Sequence, residues 1–325
     1  MQYLLTGGYG CIGSWIVKNL IDDGHDVAIY DLAEHTARMA LIMDEEQIAR
    51  VRFIEGDIAD GPHFTRVVGE TGASRIIHLA GLQVPVCKAD PIKGATVNVI
   101  GTLNVFEAAK THDDIVRRIV YASSAAVYGM EDDYDSGPVD NDAVLRPVTH
   151  YGVFKQCNEA NARVYFLDHG ISSIGLRPWT VYGPGRDFGL TSDPTKAVKA
   201  ALLNRPYVIG YGGRNNMQYV NDTARTFIRC AEAETTGAGA YSVRGDVVSI
   251  DEVIASIERV VPGSDGLISH LDMNLPIAPD LDDRAIQEDV GEIPYTPLDE
   301  GIRETWDVFR RHQEAGTLST DDLQG

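Results

Sequence analysis

Two residues one helical turn apart carry the clearest chemical signal in the chain. Tyr151 and Lys155 stand four apart in Tyr151-Gly152-Val153-Phe154-Lys155, a spacing that places both on one helical face. A lysine ammonium near a phenol favours the phenolate and lowers its pKa. A tyrosine tuned in this way takes a proton from an alcohol, or returns one to a ketone, near neutral pH. Alone, the spacing is common by chance, and surface residues one turn apart are the commoner explanation. Upstream, however, Val120-Tyr121-Ala122-Ser123-Ser124-Ala125-Ala126-Val127-Tyr128-Gly129 reads as a strand that ends in hydroxyl residues. Ser124 at that edge can hold a substrate oxygen and stabilise charge on it during hydride transfer.

The elements that would position these groups begin at the N-terminus. Met1 to Thr6 is a short apolar run that enters Gly7-Gly8-Tyr9-Gly10-Cys11-Ile12-Gly13, followed by apolar residues at helical spacing from Ser14 to Leu20. Strand, glycine turn and helix are the context of a dinucleotide fingerprint. Gly7 permits a sharp turn, Gly10 lets a pyrophosphate approach the backbone, and Gly13 lets the helix pack on the strand. The helix N-terminus adds free N–H groups and a partial positive charge. Asp31 closes the next apolar run, Asp26 to Asp31. A carboxylate there accepts both adenosine ribose hydroxyls and repels a 2′-phosphate, so NAD is the expected cofactor. Asp57 closes a third strand and is a candidate to face the adenine.

Further β-branched runs at 75–80, 118–123 and 172–177 alternate with helical patterns. The predicted fold is α/β, a doubly wound parallel sheet of Rossmann type with a smaller C-terminal substrate-binding lobe. Residues 1–178 are assigned to the NAD-binding domain, with 207–233 returning to it. Residues 179–206 and 234–317 are assigned to the substrate lobe, and 318–325 to a flexible tail. Long helices are expected over Pro91–His112 and Tyr151–His169, and both could serve a homodimer interface. Asn98 reads as a structural hydrogen-bonder.

Of 325 residues, 44% are hydrophobic and 23% charged, as in ordinary globular proteins. No apolar run suits a membrane span, and no targeting signal is evident, which predicts a cytoplasmic protein. A formal charge of −20 argues against a nucleic-acid or anionic-membrane partner. Cys11, Cys87, Cys157 and Cys230 form no CxxC motif, so no metal site is expected. Cys87 and Cys157 are the candidates for a reactive thiol, with inert packing the simpler reading.

The combined pattern resembles the extended short-chain dehydrogenase/reductases of the NAD-dependent epimerase/dehydratase type. The matching pieces run in order through residues 1–185. They are the turn Thr6 to Gly13, Gly56-Asp57-Ile58, His78-Leu79-Ala80-Gly81, Asn98-Val99-Ile100-Gly101-Thr102, Ser123 to Gly129, Tyr151 with Lys155, and Leu176-Arg177-Pro178-Trp179-Thr180-Val181-Tyr182-Gly183-Pro184. The resemblance implies that Gly7, Gly10, Cys11, Ile12 and Gly13 cradle the pyrophosphate, and that Asp57 and Ile58 meet the adenine. It implies that Leu79, Ala80 and Gly81 line the cofactor and that Pro178 packs by the nicotinamide. Tyr151 would be the acid/base, Lys155 would also bind the nicotinamide ribose, and Ser124 would complete the catalytic set.

Departures from the family pattern bear on the substrate. Ala125-Ala126 follows Ser124 where family 4,6-dehydratases carry Asp-Glu, which disfavours dehydration. Thr180 replaces a usual Asn. Asn215 stands where the family places an Arg, although Arg214 is adjacent, and Ile277-Ala278-Pro279-Asp280 lacks a third Arg. These absences argue against a nucleotide-linked sugar. Arg186, Thr191 and Ser192, with Thr180 and Gln83, are instead candidates to bind a carboxylate or hydroxyls of a smaller substrate. Ser192 or Asp193 could equally cap the next helix, with Pro194 at its first position. The sequence-based expectation is an NAD-dependent enzyme acting on a secondary alcohol of a sugar, or of a sugar-derived polyol or acid. It is a dehydrogenase if the ketone leaves and an epimerase if the ketone turns and is reduced again. A nucleotide-sugar 4-epimerase is the alternative, and a non-catalytic NAD-binding sensor the second.

Overall fold

The computed structural model describes residues 2–323; Met1, Gln324 and Gly325 lie outside the described residues. Twelve strands are present among the described residues: β1 (Gln2–Thr6), β2 (Asp26–Asp31), β3 (Arg52–Glu55), β4 (Arg75–His78), β5 (Arg118–Ala122), β6 (Ser173–Arg177), β7 (Thr180–Tyr182), β8 (Tyr207–Ile209), β9 (Arg214–Tyr219), β10 (Ala238–Ser242), β11 (Asp246–Ser249) and β12 (Ile268–His270). Seven of them form one parallel sheet in the order β10-β6-β5-β4-β1-β2-β3. The order reverses beside β1, so the carboxyl ends of β1 and β4 open the crevice where such folds bind ligands.

Both faces of the sheet are covered. On β1, Tyr3 and Leu5 pack into one apolar cluster and Leu4 into another on the opposite face. The helices Cys11–Asp22 and Val220–Glu232 pack together on the first face, tied by Asn19 Nδ2 donating to Asn221 Oδ1 at 2.9 Å. A third cluster, including Tyr128, Val139, Trp179, Ala278 and Leu281, joins the main domain to the C-terminal lobe. That lobe contains β7-β9-β11 and the pair β8-β12.

Three parts of the expected layout need correction. Residues 207–219, expected to return to the main domain, form β8 and β9 of the lobe, and only the helix Val220–Glu232 returns. Residues 238–242, assigned to the substrate lobe, form β10 and extend the main sheet by pairing with β6. Their short Ala-Gly-Ala-Tyr-Ser run hides the strand because its neighbour supplies the partners. The tail, expected to fray, is docked as far as it is described. Lys199 donates to both carboxylate oxygens of Asp322 at 2.7 and 2.8 Å, with side chains only 8% and 12% exposed. The helical stretch expected from Pro91 to His112 is continuous but contains a π-helical turn, Thr96–Ile100. Such turns re-aim side chains within a helix.

Candidate active site

A cavity of about 990 Å³ follows the carboxyl edge of the main sheet. At one end lies the glycine turn. Gly7 has φ +70°, and a Cβ there would sit 2.6 Å from Ala80 N. A Cβ on Gly13 would sit 2.6 and 2.7 Å from the carbonyl oxygens of Gly8 and Gly7. Gly10 differs: its backbone is ordinary, and a Cβ would meet only Gly7 O, at 3.2 Å. The first bond of the following helix runs from Ser14 N to Gly10 O at 2.9 Å, so earlier N–H groups have no intrahelical acceptor. No side chain caps this terminus and no acidic residue stands in its first turn. Gly10, Cys11, Ile12 and Gly13 all line the cavity there. An uncapped helix end with room above Gly10 fits a dinucleotide diphosphate.

Along the wall stand Asp31, Asp57, Ile58, Leu79, Ala80, Gly81 and Pro178. Asp31 Oδ1 accepts from Leu32 N at 2.9 Å. Burial pushes its pKa up, while backbone donors at Leu32 and Tyr9 hold it down. The Asp57 carboxylate accepts from Ala59 N at 2.9 Å, a local turn that fixes its direction.

At the other end the helix His150–His169 delivers Tyr151 and Lys155. Thr149 caps it, accepting from Gly152 N at 3.0 Å. Gly152 allows this helix to touch the turn after β5, since a Cβ there would overlap Ala126 O. A buried ion pair fixes the helix axially: Arg177 donates to both oxygens of Glu159 at 2.9 and 2.8 Å, and Ser123 Oγ adds a third bond at 2.5 Å. Lys155 Nζ donates to Ala122 O at 2.6 Å and lies 5.5 Å from the centre of the Tyr151 ring. Burial lowers the Lys155 pKa to about 8, partly opposed by Cys87 and Glu159. Burial raises the Tyr151 phenol, while a hydrogen bond with Ser124 and the charge of Arg186 hold it down. The charge of Arg186 thus adds a contribution toward the phenolate that the spacing argument does not contain. Ser124 Oγ also accepts from Ala126 N at 3.1 Å. Burial raises the thiol pKa of Cys87, in keeping with packing.

Of the substrate candidates, Gln83, Ser124, Arg186 and Thr191 line the cavity. Arg186 Nη2 donates to Thr191 Oγ1 at 3.0 Å, leaving its buried Nε without a partner. Thr180 and Ser192 do not line it. Thr180 is 0% exposed on β7, and strand alternation turns its neighbours Trp179 and Val181 to the cavity instead. Ser192 is also 0% exposed, and its hydroxyl donates to Gly189 O at 2.8 Å, with no side-chain cap on the next helix.

Several cavity residues carry no motif signal. Arg38 grips Asp187 through Nε and Nη2 at 2.9 and 2.7 Å and donates from Nη1 to Tyr9 O at 3.1 Å. This bond links the segment after β2 to the segment after β7, beside the glycine turn. Leu275, Pro276 and Ile277 close the far wall, and Trp179 Nε1 ties that wall by donating to Ala278 O at 2.8 Å. Contacts between segments so distant in sequence leave no local pattern to read.

Comparison with known proteins agrees with this geometry. The model of the NAD dependent epimerase/dehydratase family matches residues 3–243. UDP-glucose 4-epimerase of Mycolicibacterium smegmatis is 28% identical over 327 residues, covering 97% of this chain and 100% of the relative. The UDP-glucose 4-epimerase of Thermus thermophilus, solved in complex with NAD, matches with a TM-score of 0.80 and 26% identity over 95% of this chain and 99% of that one. MoeE5 in complex with UDP-glucuronic acid and NAD matches with a TM-score of 0.79 and 26% identity, over 96% and 99%.

Proposed function

The chain belongs to the NAD-dependent epimerase/dehydratase family, and on that premise we propose that it is a 4-epimerase of a nucleotide-linked sugar. The observation that carries the proposal is the convergence of Ser124, Tyr151 and Lys155 at the cavity end opposite the glycine turn, in a chain that matches a UDP-glucose 4-epimerase from end to end. Bound NAD supplies a reversible hydride acceptor for the carbon that is oxidised. Gly7, Gly10, Cys11, Ile12 and Gly13 hold its diphosphate, Asp31 its adenosine ribose, and Asp57 and Ile58 its adenine. Leu79, Ala80, Gly81 and Pro178 shape the remaining wall, and Lys155 meets the nicotinamide ribose.

Tyr151, as the phenolate, takes the proton from the substrate's secondary hydroxyl and later returns it. Ser124 Oγ donates to the same oxygen as charge builds on it. Arg186 favours the phenolate through its charge and offers its guanidinium at the cavity wall to an anionic or hydroxyl group of the substrate. Gln83 and Thr191 bound the same region. This reading revises the expectation drawn from the absent arginines. Likeness over the full length to a nucleotide-sugar epimerase outweighs it, although Arg214, one position away on β9, does not line the cavity and pairs with Glu131. The guanidinium of Arg186 on the cavity wall favours sugars with an acidic group as a second panel within the same class.

Two long helices expose a row of apolar side chains: Ile92, Ile100, Val153, Val164 and Leu167. Their placement supports a homodimer through this face. No helix among the described residues is long and apolar enough to cross a membrane. The test is turnover of UDP-glucose and UDP-glucuronic acid beside free sugars, aldonates and uronates. Inversion of a nucleotide sugar by the wild type and its loss in Tyr151→Phe are expected. Turnover confined to free sugars or sugar acids, or an undiminished Tyr151→Phe, would overturn the reading.

A further inference from the structure

A buried chain of hydrogen bonds runs under the cavity from the glycine turn to the catalytic helix, and none of its members touches the reacting groups. His78, the last residue of β4, is 3% exposed and sits at its centre. Its Nδ1 lies 2.6 Å from Thr6 Oγ1, and its Nε2 lies 3.0 Å from Thr102 Oγ1. Thr6 immediately precedes Gly7, and its hydroxyl accepts from Ala80 N at 3.3 Å. At the other end, Thr102 Oγ1 donates to Asn98 O at 2.7 Å and accepts from Asn158 Nδ2 at 3.1 Å. Asn158 Nδ2 also donates to Asn98 O at 2.9 Å, and Asn98 holds the backbone of Leu82 through both N–H and C=O, at 3.0 and 3.1 Å. Asn158 stands three residues after Lys155, on the same helical face.

Hydrogen inventory fixes the direction of every bond. A backbone carbonyl only accepts, so Thr102 spends its single hydrogen on Asn98 O. Thr102 can then only accept from His78, which places a hydrogen on Nε2. Burial, and the nearby charge of Lys155, lower the His78 pKa to about 3, so the ring is neutral and Nδ1 is bare. Nδ1 therefore accepts from Thr6, and Thr6 accepts from Ala80. Thr102 has neither a hydrogen nor a lone pair to spare, so the other tautomer would break the bond between Nε2 and Thr102 and leave that end of the chain unjoined.

We propose that His78, locked as the neutral Nε2–H tautomer, is a positioning residue that fixes the cofactor floor at Gly7 and Ala80 relative to the helix bearing Tyr151 and Lys155. The π-helical turn at Thr96–Ile100 belongs to the same device, because it carries both Asn98 contacts. The proposal rests on the NAD-binding reading of the cavity but not on the identity of the substrate.

The test has three readouts on the full-length protein. With ¹⁵N-histidine labelling, long-range ¹H–¹⁵N spectra, assigned by loss of the signal in His78→Gln, should show an Nε2-protonated ring that does not titrate between about pH 5 and pH 9. Calorimetric titration with NAD should show weaker binding to His78→Phe, which preserves bulk but removes both bonds, and partial recovery in His78→Gln. With whichever nucleotide sugar is turned over, His78→Phe should lose about ten- to a hundredfold in kcat with KM little changed. Thr102→Val should show the same loss, not additive with it. An Nδ1-protonated or titrating ring in the wild type would overturn the proposal, even if His78→Phe fails to fold. So would a His78→Phe that melts earlier yet keeps wild-type NAD affinity and kcat. Absence of turnover on every nucleotide sugar would count against the substrate reading alone, leaving the spectra and the NAD titration to decide on His78.

Discussion

Replacing the turn glycines one at a time separates residues that shape the backbone from a residue that makes room for a ligand. Gly7→Ala forces a side chain onto a left-handed backbone, φ +70°, and sets its Cβ 2.6 Å from Ala80 N. The first effect costs about 1–2 kcal/mol and the second about 1–3 kcal/mol, so the apo protein should lose about 2–5 kcal/mol. At about 2–4 °C per kcal/mol for a chain of this size, the melting midpoint should fall by several degrees. Gly10→Ala meets no backbone strain and only a mild crowding, which a shift of a few tenths of an ångström relieves. Its φ is −69° and its Cβ would meet only Gly7 O, at 3.2 Å. Alanine is a poorer N-cap than glycine, but the unfolded chain loses about 0.4–1 kcal/mol of entropy advantage. The two nearly cancel, so Gly10→Ala should melt within about 1 kcal/mol of the wild type. Its methyl, however, stands where the diphosphate must approach the helix. NAD affinity should therefore fall at least about tenfold, or 1.4 kcal/mol. Thermal melts of the cofactor-free variants and calorimetric NAD titrations give the two quantities separately. A Gly10→Ala variant that binds NAD like the wild type, or that is destabilised as much as Gly7→Ala, would refute the assignment.

Other consequences are open to direct measurement. Asp31→Ser should weaken NAD and remove the repulsion of a 2′-phosphate, shifting the NADP-to-NAD affinity ratio toward NADP by about tenfold or more; an unchanged ratio would contradict the role given to Asp31. Lys155 has its folded pKa depressed to about 8, below the unfolded value. The cost of burying its charge is thus fully present below pH 8 and is relieved as pH rises toward the unfolded pKa. Melts of the cofactor-free wild type should gain on Lys155→Met between about pH 8 and pH 10, whereas parallel curves would speak against a buried, charged lysine. Asp187→Ala breaks a pair about one-third exposed, so stability should change by at most about 1 kcal/mol. Release of NAD, followed by dilution and fluorescence, should nonetheless quicken, because Arg38 no longer bridges the two cavity walls.

Much of the site was legible because its chemistry depends on local spacing. Gly7, Gly10 and Gly13 belong to one turn, Tyr151 and Lys155 to one helical face, and Asp31 to a strand end. Each therefore left a pattern within a few residues, and all of them line one cavity in the structure. Thr180 was misread because a three-residue strand gives no alternation from which to tell its faces, and only the register places Trp179 and Val181 toward the cavity. Ser192 sits in a polar loop, where a buried backbone carbonyl, Gly189 O, claims its hydroxyl. Arg38 with Asp187, Lys199 with Asp322, and the addition of β10 to the main sheet join residues far apart in the chain. Such contacts follow from the closed fold, so no window of sequence contains them. The tuning of Tyr151 by Arg186 belongs to the same class.

The most direct test of the central claim is an incubation of the purified protein with NAD and UDP-glucose in deuterated water, followed by proton NMR. A mechanism in which Tyr151 moves only the hydroxyl proton, while the carbon-bound hydrogen never leaves the closed cavity, predicts the C4 epimer with no deuterium on its carbons and no accumulation of reduced cofactor. Accumulation of reduced cofactor without an epimer, or an epimer carrying deuterium at the inverted carbon, would contradict it.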